Sequence, residues 1–100
     1  MRSTTVYIGL GSNLGDRVAY LRDAVVHLRQ IIKVERISQL YVQAPLGYVR
    51  DDTFINAVVQ GQTTLKPIDL LVALQEIEHA MGRRRGVHYG PRPIDLDILF

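Results

Sequence analysis

Apolar and polar positions along this chain follow two rhythms, one with a period of two and one with a period near 3.6. Residues 5–10 alternate, with Val6, Ile8 and Leu10 on one face and Tyr7, Gly9 and then Gly11 on the other, which predicts a buried strand. From Arg17 to Ile32 the apolar residues Val18, Leu21, Val25, Leu28 and Ile32 recur at spacings of 3, 4, 3 and 4, the stripe of an amphipathic helix. Asp16 is the expected N-cap of that helix, closing the turn Gly11-Ser12-Asn13-Leu14-Gly15-Asp16. Lys33 to Val42, rich in β-branched and aromatic residues, reads as a second strand. Thr53 to Gln60 alternates again, with Phe54, Asn56, Val58 and Gln60 sharing one face and Ile55, Ala57 and Val59 the other. Lys66-Pro67-Ile68-Asp69 opens a second helix whose stripe is Leu70, Leu74, Ile77 and Met81, with Gly82 placed to end it. A last strand begins near Pro93 or Ile94 and runs to Phe100.

The order strand, helix, strand, strand, helix, strand predicts an α+β, ferredoxin-like βαββαβ sandwich: a four-stranded antiparallel sheet with two helices on one face. Right-handed crossovers put both helices on that face. The opposite face is then expected to carry Gly9, Phe54, Asn56, Asp95 and Asp97. Residues 43–52 form a connection of about ten residues, long enough to be either a functional loop or a plain hairpin link.

At 100 residues, with 47% hydrophobic and 22% charged residues, the chain has the size and composition of one small folded domain. A net charge of +2 is too small to argue for bulk nucleic-acid binding, but four of the twelve basic residues fall between positions 83 and 92. With no cysteine there is neither a disulfide nor a thiolate metal site or nucleophile. Neither a signal-peptide core nor an apolar run approaching the ~20 residues of a membrane span is present, so a cytoplasmic location is expected.

The candidate chemistry concentrates between Gly82 and Asp97. An acid-free run from His79 to Arg92 abuts two aspartates spaced two apart. On a strand, Asp95 and Asp97 project together, roughly 6–7 Å apart, while Ile94, Leu96 and Ile98 face the other way. Two such carboxylates suit magnesium, which keeps other positions for water and phosphate oxygens, and nearby arginines suit the phosphates. Taken singly, the arginines read equally well as a solvated helix end and the aspartates as the charged face of an edge strand. Two glycines on one face of the first strand point to a close approach by a ligand or by backbone, although Gly11 alone reads as a strand exit. The Gly11–Asp16 turn lacks the lysine and glycine spacing of a P-loop. Asn56 is either a core hydrogen-bonder or a reader of a heterocycle edge beside Phe54. Gln75 and Glu78 share a helix face, expected to be exposed, that leads into the arginine run, where Glu78 would buttress an arginine.

Four segments carry a resemblance to a known family: Tyr7 to Asp16, Ala44-Pro45-Leu46-Gly47, Phe54-Ile55-Asn56-Ala57, and above all Tyr89-Gly90-Pro91-Arg92-Pro93-Ile94-Asp95-Leu96-Asp97. Together they resemble the 6-hydroxymethyl-7,8-dihydropterin pyrophosphokinases of folate biosynthesis, in the same order and over essentially the whole chain. The resemblance implies transfer of the β,γ-diphosphate of ATP to the pterin hydroxymethyl group, with release of AMP. It implies that Asp95 and Asp97 hold two Mg2+ ions and that Arg83, Arg85 and Arg92 neutralise phosphate charge. Gln75, Glu78, Tyr89 and Ile98 would join those arginines on the ATP side, with Tyr89 on a loop that closes over the substrates. Gly11, Gln43, Ala44, Pro45, Leu46, Phe54, Asn56 and Asp95 would form the pterin side, where Phe54 stacks and Asn56 reads the ring edge.

Three departures qualify the likeness. Gln43-Ala44 stands where many members carry Thr-Pro, and Tyr89 stands where tryptophan is frequent. Family members also continue into a segment bearing a histidine, an arginine and a second aromatic residue, so residues 1–100 are expected to be one core domain truncated at its C-terminus. Two rival readings follow. One is a catalytically incompetent core that binds nucleotide or self-associates through an uncovered sheet face. The other is a single-stranded nucleic-acid-binding module, against which the paired aspartates and the missing RRM aromatics both count. No nucleic-acid or membrane partner is expected.

Overall fold

A computed structural model of the chain describes residues 2–13, 16–43, 54–82 and 94–99. Its elements are β1 (Thr4–Ser12), α1 (Arg17–Leu28), β2 (Lys33–Ile37), β3 (Tyr41–Gln43), β4 (Phe54–Thr63), α2 (Pro67–Ala80) and β5 (Asp95–Ile98). The sheet order is β2-β4-β1-β5, with β3 also pairing β4, and every pairing is antiparallel. This is the expected ferredoxin-like α+β arrangement, with β1 and β4 at its centre.

A fifth strand is the one departure in topology. The stretch expected to form one strand from 33 to 42 is divided into β2 and β3, lying end to end along β4. Ser38 explains the division. Its amide donates to the Val58 carbonyl (2.8 Å) while its hydroxyl oxygen accepts from the Val58 amide (2.8 Å) and donates to the Gln39 carbonyl (2.9 Å). A side-chain oxygen thus takes the place of a backbone acceptor, and the ladder lapses until Tyr41. A register shift between Val34 and Arg36 further loosens β2 against β4.

The helices dock as their stripes predict. Val6, Ile8 and Leu10 of β1, Val59 of β4 and Leu96 of β5 pack with Leu21, Ala24 and Leu28 of α1 and Leu70, Leu74 and Ile77 of α2 in one buried cluster. Asp16 caps α1 by accepting from the Ala19 amide at 3.1 Å. The helix stops at Leu28 rather than Ile32, and beyond it the amides of Gln30 and Ile31 reach only three residues back, to the His27 and Leu28 carbonyls; Ile32 remains buried all the same, whereas Val18 lies at the exposed margin. Pro67 starts α2, and Gly82, with φ +102°, follows its last turn in the left-handed region. None of the helices, among the described residues, is long and apolar enough to cross a membrane.

Gly61 is where the sheet tolerates least. A Cβ there would stand 2.7 Å from the Lys33 carbonyl oxygen and 2.9 Å from Ile32 Cδ1. The first of these is backbone and cannot rotate away. Gly61→Ala is expected to lower stability by about 1–3 kcal/mol, the usual range for overpacking, read as an earlier urea midpoint at unchanged slope. An unmoved midpoint would show that β2 shifts freely against β4.

Candidate active site

The face of the sheet away from the helices is built by register. Asn56 of β4 lies opposite Gly11 of β1, and Gly11 lies opposite Asp95 of β5. Paired residues in a ladder share a face, so these three form one row across the sheet. Tyr41 of β3 extends it, being paired with Asn56. The adjacent row on that face is Val58, Gly9 and Asp97. Between the two rows, Leu10, Ala57 and Leu96 are buried on the helix side. The predicted convergence of Gly9, Phe54, Asn56, Asp95 and Asp97 on one open face is therefore present.

What approaches the glycines differs from expectation. A Cβ on Gly11 would fall 2.7 Å from Asn56 Oδ1 and 3.3 Å from Phe54 Cδ1. Gly11 is thus no mere strand exit: it is the hollow over which the Asn56 amide and the Phe54 ring lean. Gly9 plays the same part for Leu99, whose Cδ1 would be 3.1 Å from an added Cβ. Leu99 and Tyr41 are residues of this face that the sequence reading did not single out. For Leu99 the signal was there, since 95, 97 and 99 share a parity. For Tyr41 only the register could supply it.

Asp95 is half-buried and Asp97 exposed. Ile98 is half-buried against the core cluster, turned away from the aspartates. Gln75 is exposed as predicted, but Glu78 is not: it is 8% exposed, and its Oε2 accepts from the Leu96 amide at 2.9 Å. Glu78 borders the stripe of Leu74 and Ile77, and packing α2 against β5 carries it inside with them. Gln43 stands opposite Phe54 in the β3–β4 register. Ala44, Pro45, Leu46, Arg83, Arg85, Tyr89 and Arg92 lie outside the described residues. On the helix side, a groove of about 480 Å³ between α1 and the end of α2 is lined by Tyr20, Asp23 and His27 among others, and shares no residue with the open-face rows.

A family model described as 7,8-dihydro-6-hydroxymethylpterin-pyrophosphokinase (HPPK) matches residues 7–100. The chain belongs to this family. A pyrophosphokinase named for 2-amino-4-hydroxy-6-hydroxymethyldihydropteridine from Bacillus subtilis is 47% identical over 95 residues, covering 93% of this chain and 57% of its own length. Its namesake from Aquifex aeolicus is 40% identical, over 95% of this chain and 59% of its own. A mitochondrial folate synthesis bifunctional protein from Pisum sativum is 50% identical over 95% of this chain and 19% of its own length. The chain spans less than three fifths of the two single-function pyrophosphokinases.

The open face presents two carboxylates of the kind that a hard divalent cation accepts as ligands. Asp95 and Asp97 offer carboxylate oxygens on one side of β5, and no group of three or more histidine, cysteine or acidic residues gathers among the described residues. Two carboxylates do not make a closed cage. They fit magnesium, which is commonly held by one or two carboxylates plus waters and substrate phosphates.

Proposed function

We propose that this HPPK-family chain transfers the β,γ-diphosphate of ATP to the hydroxymethyl group of 6-hydroxymethyl-7,8-dihydropterin, releasing AMP. The observation that carries this reading is the row Asn56, Gly11 and Asp95, with Asp97 in the next row. It sets a flat aromatic and amide surface on β4 beside a pair of carboxylates on β5, as a reaction joining a heterocycle to a polyphosphate requires.

In this reading the pterin stacks on Phe54, and Asn56, whose amide both donates and accepts, reads the ring's mixed edge. Gly11, Gln43, Ala44, Pro45 and Leu46 shape the rest of that pocket. Asp95 and Asp97 would hold two Mg2+ ions, which when bound neutralise the triphosphate and stabilise charge on the departing AMP. Arg83, Arg85 and Arg92 share that neutralisation, Gln75 and Ile98 flank the nucleotide, and Tyr89 covers it. The pterin hydroxyl oxygen bonds to the β-phosphorus, the bond from that phosphorus to the α,β-bridging oxygen breaks, and AMP leaves with that oxygen. Asp95, the acidic residue in the pterin row, is our candidate to take the hydroxyl proton. The protein acts in the cytoplasm, with these two small molecules as its partners.

AMP release by the full chain, followed chromatographically, tests the reading. AMP is expected only when ATP, Mg2+ and the pterin are all present. AMP formed at the same rate without pterin, or a folded chain that releases none at saturating substrates, would refute it.

A further inference from the structure

β5 is the last strand in the sheet order, and one of its two edges is turned away from β1. The Leu99 amide donates to the Tyr7 carbonyl at 2.7 Å, which fixes the parity of the β1–β5 ladder. Amides alternate along an antiparallel strand, so those of Asp95 and Asp97 turn toward β1 with that of Leu99. The Leu96 amide points the other way, to the outer edge. It meets Glu78 of α2, whose Oε2 accepts it at 2.9 Å. An edge donor is thereby satisfied, and by a buried carboxylate, a costly group to place in an interior unless it is well bonded. An apolar side chain covering the strand would have spared that burial. The feature that calls for explanation is the position of the bond, midway between the two aspartates of the candidate site.

We infer that Glu78 is a positioning residue for Asp95 and Asp97. By tying the peptide between them to α2, it sets the pitch and twist of β5, and so the separation and direction of the two carboxylates on the opposite side. It touches neither cation nor phosphate; it acts through the Leu96 amide. This inference rests on the reading of Asp95 and Asp97 as the residues that hold the metal. Outer residues that orient metal ligands typically change metal affinity by about 10–100-fold when removed, and the lower part of that range is expected here, because β1 still holds the other edge of β5.

The test compares the full chain with Glu78→Gln, which keeps an oxygen acceptor, and Glu78→Leu, which does not. A third variant replaces Leu96 by its α-hydroxy acid through chemical ligation, deleting the amide while leaving every side chain in place. Two quantities are read: hydrogen exchange at the Leu96 amide in the first three proteins, and Mn2+ affinity by electron paramagnetic resonance with α,β-methylene-ATP present. Glu78→Leu should speed Leu96 exchange and weaken Mn2+ binding about tenfold. The ester variant should lose as much affinity, and Glu78→Gln should stay within about threefold of the parent in both readings. Should Glu78→Leu not fold, the ester variant decides. Parent-like Mn2+ affinity in the ester variant, or in a Glu78→Leu protein whose Leu96 exchange is faster, would overturn the inference. So would a Glu78→Gln protein that keeps Leu96 protected yet loses affinity, since the charge would then act on the ligand directly. A parent that binds no Mn2+, or an Asp97→Asn protein that binds it as the parent does, would fail before Glu78 is changed. That result removes the metal reading itself, and this inference with it.

Discussion

Asp97→Ala should abolish most of the magnesium-dependent binding of ATP while leaving the fold intact, and Asp95→Ala should match it in binding. Each variant removes one of the two carboxylates on β5 that are proposed to hold the cation. We expect a loss of about 100-fold to 1,000-fold, which corresponds to about 2.7–4.1 kcal/mol. For Asp97 the effect on stability has a different sign of expectation. The residue is exposed, and with no cation present its charge repels that of Asp95 by less than about 1 kcal/mol in a water-like medium. Its removal should leave the metal-free melting temperature unchanged or slightly raised. What disappears is the rise in melting temperature that magnesium and ATP together confer on the parent. Calorimetric titration at fixed nucleotide, beside thermal melts with and without magnesium, separates the two quantities. Asp97→Ala protein that still binds ATP only when magnesium is present, at parental affinity, would place the metal elsewhere.

The second large effect is expected from Gly11→Ala. The new methyl carbon would sit 2.7 Å from Asn56 Oδ1 and 3.3 Å from Phe54 Cδ1. Both obstacles are side-chain atoms that can rotate, unlike the backbone oxygen that confronts Gly61. The fold should therefore survive with a modest loss, while the amide and the ring are pushed off the positions proposed for reading the pterin. A displaced amide leaves the bound heterocycle with unmatched polar atoms, a penalty of about 1–3 kcal/mol. Pterin affinity should fall by about fivefold to somewhat over 100-fold, measured by fluorescence titration alongside a urea melt. An unchanged pterin affinity would mean that Asn56 and Phe54 do not read the ring from where they stand. The contrast between the two glycine substitutions is itself informative: at position 61 stability moves, and at position 11 binding moves.

Most of what was legible in the sequence rests on parity within single elements. Asp95 and Asp97, Phe54 and Asn56, and the stripes Leu21 with Leu28 and Leu70 with Leu74 needed only the local period, and each faces as that period requires. Relations between elements were not available in the same way. Nothing local announces that Gly11 rather than Gly9 lies beside Asn56, because a register is set by the whole ladder. Ser38 looks like any strand residue until its hydroxyl is seen to replace a backbone acceptor. Glu78 was expected on the surface because a charged residue off the main stripe usually is; its burial follows from where β5 passes, a contact across 18 positions of sequence. The end of α1 was misplaced because Ile32 continues the apolar rhythm and is buried even though the helix has already ended.

Gly9 and Gly11 have a consequence for how the two sides of the open face can influence one another. In these rows β1 presents no side chain of its own, and its neighbours lean in over it from either side. With strands about 4.8 Å apart, the backbones of β4 and β5 stand about 9–10 Å from each other. At such distances, residues that share no partner respond independently to perturbation. For them, coupling between the heterocycle side and the carboxylate side runs through whatever molecules lie across β1. The central strand is then a spacer, and the substrates themselves close the circuit.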